Sequence, residues 1–155
     1  MMLYVVFKVG DADYALPASE VVQMETFAGA TRVPGTADYV AGLVQIRGRV
    51  IPVIDLRARF GLPPITRTID SRVIVVRAGD RHVGLLADSA REVLKLDEAA
   101  FQPPPGVIGL QAAGFIHSVA QTKDRLKDRL IMRVDFSRVI GEAAVPQENE
   151  HGEEA

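Results

Sequence analysis

The residues able to do chemistry are few, and their spacing suits no familiar catalytic or metal-binding arrangement. The only histidines are His82, His117 and His151, and there is no cysteine in 155 residues. That removes thiolate ligands, disulfides and cysteine nucleophiles together, and the three histidines share no ligand spacing. The chain has no P-loop, no Gly-x-Ser-x-Gly elbow, no His-Glu-x-x-His and no EF-hand loop. Gly106 to Gly114 is glycine-rich, but it follows prolines and opens no helix, so it is not read as a phosphate cradle. His82 falls where a strand begins and His117 inside one, positions that suit surface or hydrogen-bonded histidines better than a general base. Asp55 and Asp135 look at first like a carboxylate pair. Each, however, follows an apolar run and precedes one or two helical turns ending at Gly61 or Gly141, so all four read as helix caps. The sequence therefore reads as non-enzymatic, with no metal and no cofactor.

What remains is a cluster of arginines, Arg47, Arg49, Arg57 and Arg59. A solvated face with local ion pairs accounts for such a cluster. So does protein recognition, because the planar guanidinium fork binds carboxylates bidentately. Nucleic-acid binding by a small barrel is the alternative, although it calls for more basic residues and interleaved exposed aromatics. Within Gly42-Leu43-Val44-Gln45-Ile46-Arg47-Gly48, Gly48 suits a hairpin turn between two apolar strands. The turn itself does not call for an arginine at 47.

The elements that position these residues come from a weak internal duplication. Val5-Val6-Phe7-Lys8-Val9-Gly10-Asp11 matches Ile74-Val75-Val76-Arg77-Ala78-Gly79-Asp80, an apolar strand closed by a Gly-Asp turn in both places. Second strands follow at Tyr14 to Leu16 and Val83 to Leu86, and third apolar runs at Val21 to Met24 and Val93 to Leu96. The stretch from Arg49 to Gly61 then aligns without a gap to that from Arg129 to Gly141, and strands over Val40 to Ile46 and Phe115 to Gln121 precede the two. Each half thus offers about five short strands and one short helix. Such strands, separated by Gly, Pro and Asp turns, favour an all-β fold of two small barrels over a parallel sheet, and closure also removes exposed edges.

The approximate halves are 3–61 and 72–141, with a break near Leu62 to Asp70 marked by Pro63-Pro64. A second loop runs from Phe101 to Gly114. Neither half is comfortably large alone, so the expectation is one domain over 1–141 with the barrels packed closely and a groove between them. Residues 142–155 hold five acids (Glu142, Glu148, Glu150, Glu153, Glu154) and no Lys or Arg, which predicts a disordered tail. The formal charge of -2 therefore averages a body of 18 basic and 15 acidic residues with an acidic end. The N-terminal run reads as a strand and not as a signal peptide, and no apolar run approaches the roughly 18 residues that span a bilayer. The expected location is cytoplasmic, without membrane insertion.

The stretch from Gly42 to Arg57, Gly-Leu-Val-Gln-Ile-Arg-Gly-Arg-Val-Ile-Pro-Val-Ile-Asp-Leu-Arg, closely resembles the signature of CheW, the family of chemotaxis coupling proteins. The likeness extends over residues 3 to 141. It implies two intertwined five-stranded SH3-like barrels with short helices. It further implies a scaffold that bridges the helical hairpin tips of chemoreceptors to the regulatory domain of the CheA histidine kinase, at the inner face of the membrane within receptor arrays or in cytoplasmic clusters. No nucleic acid is implied as a partner. Carried over by position, the receptor-binding residues would be Val21, Gln23, Gln45, Arg47 and Gly48. Gln45 replaces the family's usual Asn. Gln23 replaces an acid that pairs in the family with the arginine at Arg47, which leaves Glu20 or Glu25 to supply that charge.

Overall fold

A computed structural model describes residues 1–104, 114–124 and 127–141. The acidic segment 142–155 and most of the glycine-rich stretch lie outside the described residues. The strands are β1 (Met2–Val9), β2 (Ala12–Pro17), β3 (Val21–Thr26), β4 (Val40–Ile46), β5 (Arg49–Asp55), β6 (Arg72–Ala78), β7 (Arg81–Ala87), β8 (Ser89–Leu96), β9 (Phe101–Gln102), β10 (Ile116–Asp124) and β11 (Lys127–Val134). Two short helices, α1 (Leu56–Arg59) and α2 (Phe136–Ile140), follow β5 and β11.

The strands form two SH3-like sheets with the orders β8-β1-β2-β11-β10-β9 and β3-β6-β7-β5-β4. Hairpins are exchanged between them. The β1–β2 hairpin joins β8, β10 and β11 of the later chain, and the β6–β7 hairpin joins β3, β4 and β5 of the earlier chain. In each sheet the exchanged hairpin meets its host through one parallel ladder, β11 beside β2 or β5 beside β7. One barrel departs from the expected five strands. The two-residue β9 pairs with β10 as a sixth, and Phe101 is held there by its ring, 5.0 Å from that of Tyr4.

Burial explains why Tyr4 to Phe7 of β1 and Val73 to Val76 of β6 read as unbroken apolar runs. Side chains alternate across a strand, and both faces of these strands are covered. Tyr4 and Val6 point into a core with Ala15, Leu96 and Ile131. Val73 and Val75 do the same in the second barrel with Ile51, Val53 and Leu86. The opposite faces, Phe7 and Val9 on one strand and Ile74 and Val76 on the other, meet in the largest core, which draws on both sheets and both helices. The interface between the barrels is therefore packed with side chains, and the opening between the halves is a surface cleft lined by Val22, Arg77, His82 and Phe136 of β3, β6, β7 and α2. A separate depression of about 800 Å³ is lined by residues of β1, β8 and the 65–70 segment.

The helix caps are geometric. The Asp55 carboxylate accepts from the Arg57 N–H at 3.0 Å, and that of Asp135 accepts from the Arg138 N–H at 3.4 Å. Gly61 follows α1 at φ 81° and Gly141 ends α2 at φ 62°, both in the left-handed region that glycine enters without strain.

Candidate partner-binding site

The β4–β5 hairpin turns over Arg47 and Gly48, with Ile46 paired to Arg49. Both central residues have positive φ, 52° and 79°, which makes a type I′ turn. Arg47 is the one non-glycine residue with positive φ among the described residues. A left-handed arginine is costlier than Asn or Gly at the same place, and such strain is retained mainly where the side chain has work to do. The Arg47 side chain is 79% exposed.

β3 and β4 are the two edges of the five-stranded sheet. The chain that joins them returns onto β4 through Thr31 and Leu43, whose backbones exchange hydrogen bonds of 2.9 and 2.8 Å. Gly42 makes that return possible. At φ 137° a Cβ would lie 2.2 Å from the Thr31 carbonyl oxygen, so no side chain fits. Across this edge Arg47 Nε lies 3.5 Å from Glu25 Oε2, and Gln23 Nε2 donates to the same oxygen at 2.6 Å. Glu25 thus supplies the charge that Gln23 lacks, while Glu20 lies 3.9 Å from Arg133 instead.

The structure brings Gln23 and Arg47 together through Glu25 and sets Gly48 in the same turn. Val21 begins β3 half-buried, its side chain packed on the inter-barrel core, and its neighbours Val22 and Met24 are the exposed apolar residues of that edge. Gln45 is exposed in a separate shallow depression with Phe27, Thr31 and Val73. Glu25 was accessible to sequence reading only as one of two candidate acids. The Thr31–Leu43 bridge had no local signal.

The arginine cluster divides. Arg57 donates to Asp88 at 2.7 Å and to the Pro63 carbonyl at 2.7 Å. Arg67 spans Asp88 and Asp55 at 3.0 and 2.8 Å, and the Gly10 N–H also donates to Asp88. Arg59 donates to the carbonyls of Val139 and Arg138 and lies over the rings of Tyr39 and Phe115. Arg57 and Arg59 are structural, and only Arg47 and Arg49 remain exposed, which takes the basic stripe away from the nucleic-acid reading. His117 is exposed with Nδ1 2.8 Å from the Ser118 hydroxyl. Burial, Arg49 and Arg77 together lower the pKa of His82. Among the described residues no group of three His, Asp or Glu side chains is placed to hold a metal ion, and no helix is long and apolar enough to cross a membrane.

A model of the CheW-like domain matches residues 3–144 of the chain. The chain belongs to the CheW family. It is 30% identical to a chemotaxis protein CheW of Bacillus subtilis over 144 residues, covering 93% of this chain and 92% of the relative. It is 31% identical to a CheW of Helicobacter pylori over 140 residues, covering 88% and 84%. The crystal structure of the scaffolding protein TtCheW from Thermoanaerobacter tengcongensis matches with a TM-score of 0.82 at 28% identity, covering 95% of this chain and 97% of that one. The CheW signature thus corresponds here to β4, the Arg47-Gly48 turn, β5 and the start of α1. The last arginine of that signature, Arg57, serves the Asp88 network and not the surface.

Proposed function

We propose that this chain is a non-enzymatic cytoplasmic scaffold of a bacterial chemosensory complex, coupling the helical hairpin tip of a chemoreceptor to the regulatory domain of a CheA-type kinase. The observation that carries this reading is the Arg47 turn. A CheW signature is folded so that its arginine is strained, exposed and tethered at Nε to Glu25. Gln23 and Glu25 share one face of the β3 edge with Arg47, and Val22 and Met24 are exposed on the other, which gives the edge the apolar contacts that suit a helix. The contact at Nε leaves the two terminal nitrogens of the exposed Arg47 to meet a partner's carboxylate. Val21, Gln23, Gln45, Arg47 and Gly48 make up the proposed receptor face.

The test is a binding measurement on the full chain with two purified probes, a receptor cytoplasmic hairpin fragment and a CheA regulatory domain. Binding of both supports the reading. Binding of neither overturns it.

A further inference from the structure

The two barrels repeat one another at the ends of their sheets and differ there in charge. Lys8 faces Asp13 across β1–β2 as Arg77 faces His82 across β6–β7. Glu92 faces Val6 as Gln23 faces Val75, each beside a register shift. β11 runs parallel to β2 with Arg133 beside Ala15, and β5 runs parallel to β7 with Val53 beside Gly84. Arg129 and Arg49 stand four residues upstream of these two positions. By register, then, Lys8, Asp13, Glu92 and Arg129 in one barrel correspond to Arg77, His82, Gln23 and Arg49 in the other.

In the six-stranded barrel the four charges close on each other. Lys8 Nζ lies 2.9 Å from one Asp13 oxygen, Arg129 Nε donates to the other at 2.9 Å, and Arg129 Nη2 donates to Glu92. In the five-stranded barrel both acids are gone, replaced by an imidazole and an amide, while both basic positions are kept. Arg49 and Arg77 are exposed and have no ion pair among the described residues, and both act on the His82 ring. The nearby acids are already engaged, Glu25 with Gln23 and Arg47, and Glu20 with Arg133. Arg77 and His82 line a cleft of about 550 Å³ with the apolar Val22 and Phe136, with Ser19, and with Glu20, whose carboxylate faces Arg133.

We infer that this end of the five-stranded barrel is a docking site for carboxylates, which a receptor helical hairpin supplies where Asp13 and Glu92 supply them internally in the other barrel. The inference rests on the receptor reading above and assigns the charge of the partner's contact surface. An acidic helix with an apolar residue between its carboxylates matches the exposed Arg77 and Arg49 together with the apolar Val22 and Phe136.

The experiment measures the affinity of the full chain for the receptor hairpin fragment and for the CheA regulatory domain, in the wild type, Arg77→Gln and His82→Asp. Arg77→Gln should weaken hairpin binding by about tenfold and flatten its salt dependence. His82→Asp installs the missing acid, so it should weaken hairpin binding similarly while raising the midpoint of thermal unfolding. Kinase-domain affinity should stay unchanged in both, which also reports an intact fold. If the wild type binds the hairpin and both variants bind it equally well, the inference is overturned and the receptor reading stands. If the wild type does not bind the hairpin, both fall. Loss of kinase-domain affinity alone overturns the choice of partner. So does movement of the His82 ring resonances on removing residues 142–155 from the unbound protein, which would make the chain's own acidic segment the occupant.

Discussion

Arg59 ties the first helix to the last. Its Nε donates to the Val139 carbonyl at 2.7 Å and its Nη2 to the Arg138 carbonyl at 3.2 Å, eighty residues away. The guanidinium also lies 3.9 Å from the centre of the Tyr39 ring and 4.6 Å from that of Phe115. A cation at the C-terminal end of α2 meets otherwise unsatisfied carbonyls, so one side chain caps a helix of the other half of the chain.

Arg59→Ala should therefore destabilise the protein by about 2–3 kcal/mol, since it removes charge-assisted hydrogen bonds and two ring contacts at a half-buried site. Arg59→Lys should recover less than half of that, because an ammonium lacks the planar fork. Equilibrium unfolding in urea checks both values.

Gly42 offers a test of the Thr31–Leu43 bridge. Gly42→Ala places a Cβ 2.2 Å from the Thr31 carbonyl oxygen at a φ of 137°. The expected cost is about 3 kcal/mol, or local opening of the Thr31–Leu43 bridge. Amide hydrogen exchange distinguishes the two. Opening shows as loss of protection at Thr31 and Leu43 with β1 and β6 unaffected.

Asp13 gives the stability a dependence on pH. Burial alone pushes its carboxyl upward, but hydrogen bonds from Arg129 and Lys8 outweigh that and hold it below 3.8. A folded pKa below the unfolded one contributes stability that is present above the unfolded value and lost as pH falls through the folded one. The wild type should lose stability as pH falls below about 4, and Asp13→Asn should be less stable at pH 7 with a flatter acid limb. Unfolding midpoints across pH 2.5–7 read this directly.

Much of the fold was legible because the strands that matter most are buried on both faces. Val5 to Val9 and Ile74 to Ala78 carry apolar runs that no solvated strand would need, and the Asp55–Gly61 and Asp135–Gly141 pairs mark helix ends by local chemistry alone. The exchange of hairpins was not legible in the strands themselves, because Val53 beside Gly84 is a contact between distant segments. The arginine cluster shows the same limit at the site. Arg47 and Arg59 are alike as sequence, but one stands on a strained turn in solvent and the other is spent on carbonyls that fold in from residue 138 onward. Only the tertiary structure separates them. The packed interface between the barrels had the same origin, since alternation predicts two faces but not what covers the second.

Arg47→Glu should weaken binding of the receptor hairpin by at least tenfold while leaving the unfolding midpoint within about 1 °C, because the side chain is exposed and its one ion pair is long. Val21→Asp should weaken it too, with a larger fall in stability, because that side chain packs on the inter-barrel core. Parallel calorimetry of binding and of unfolding separates the two effects.

The most direct measurement of the central claim is sedimentation velocity on the full chain mixed with both a receptor hairpin fragment and a CheA regulatory domain. A scaffold with separate faces for the two predicts a single faster species containing all three components, lost on Arg47→Glu to a species that retains the kinase domain alone. Mutual exclusion of the two partners, or no complex with either, would contradict the account.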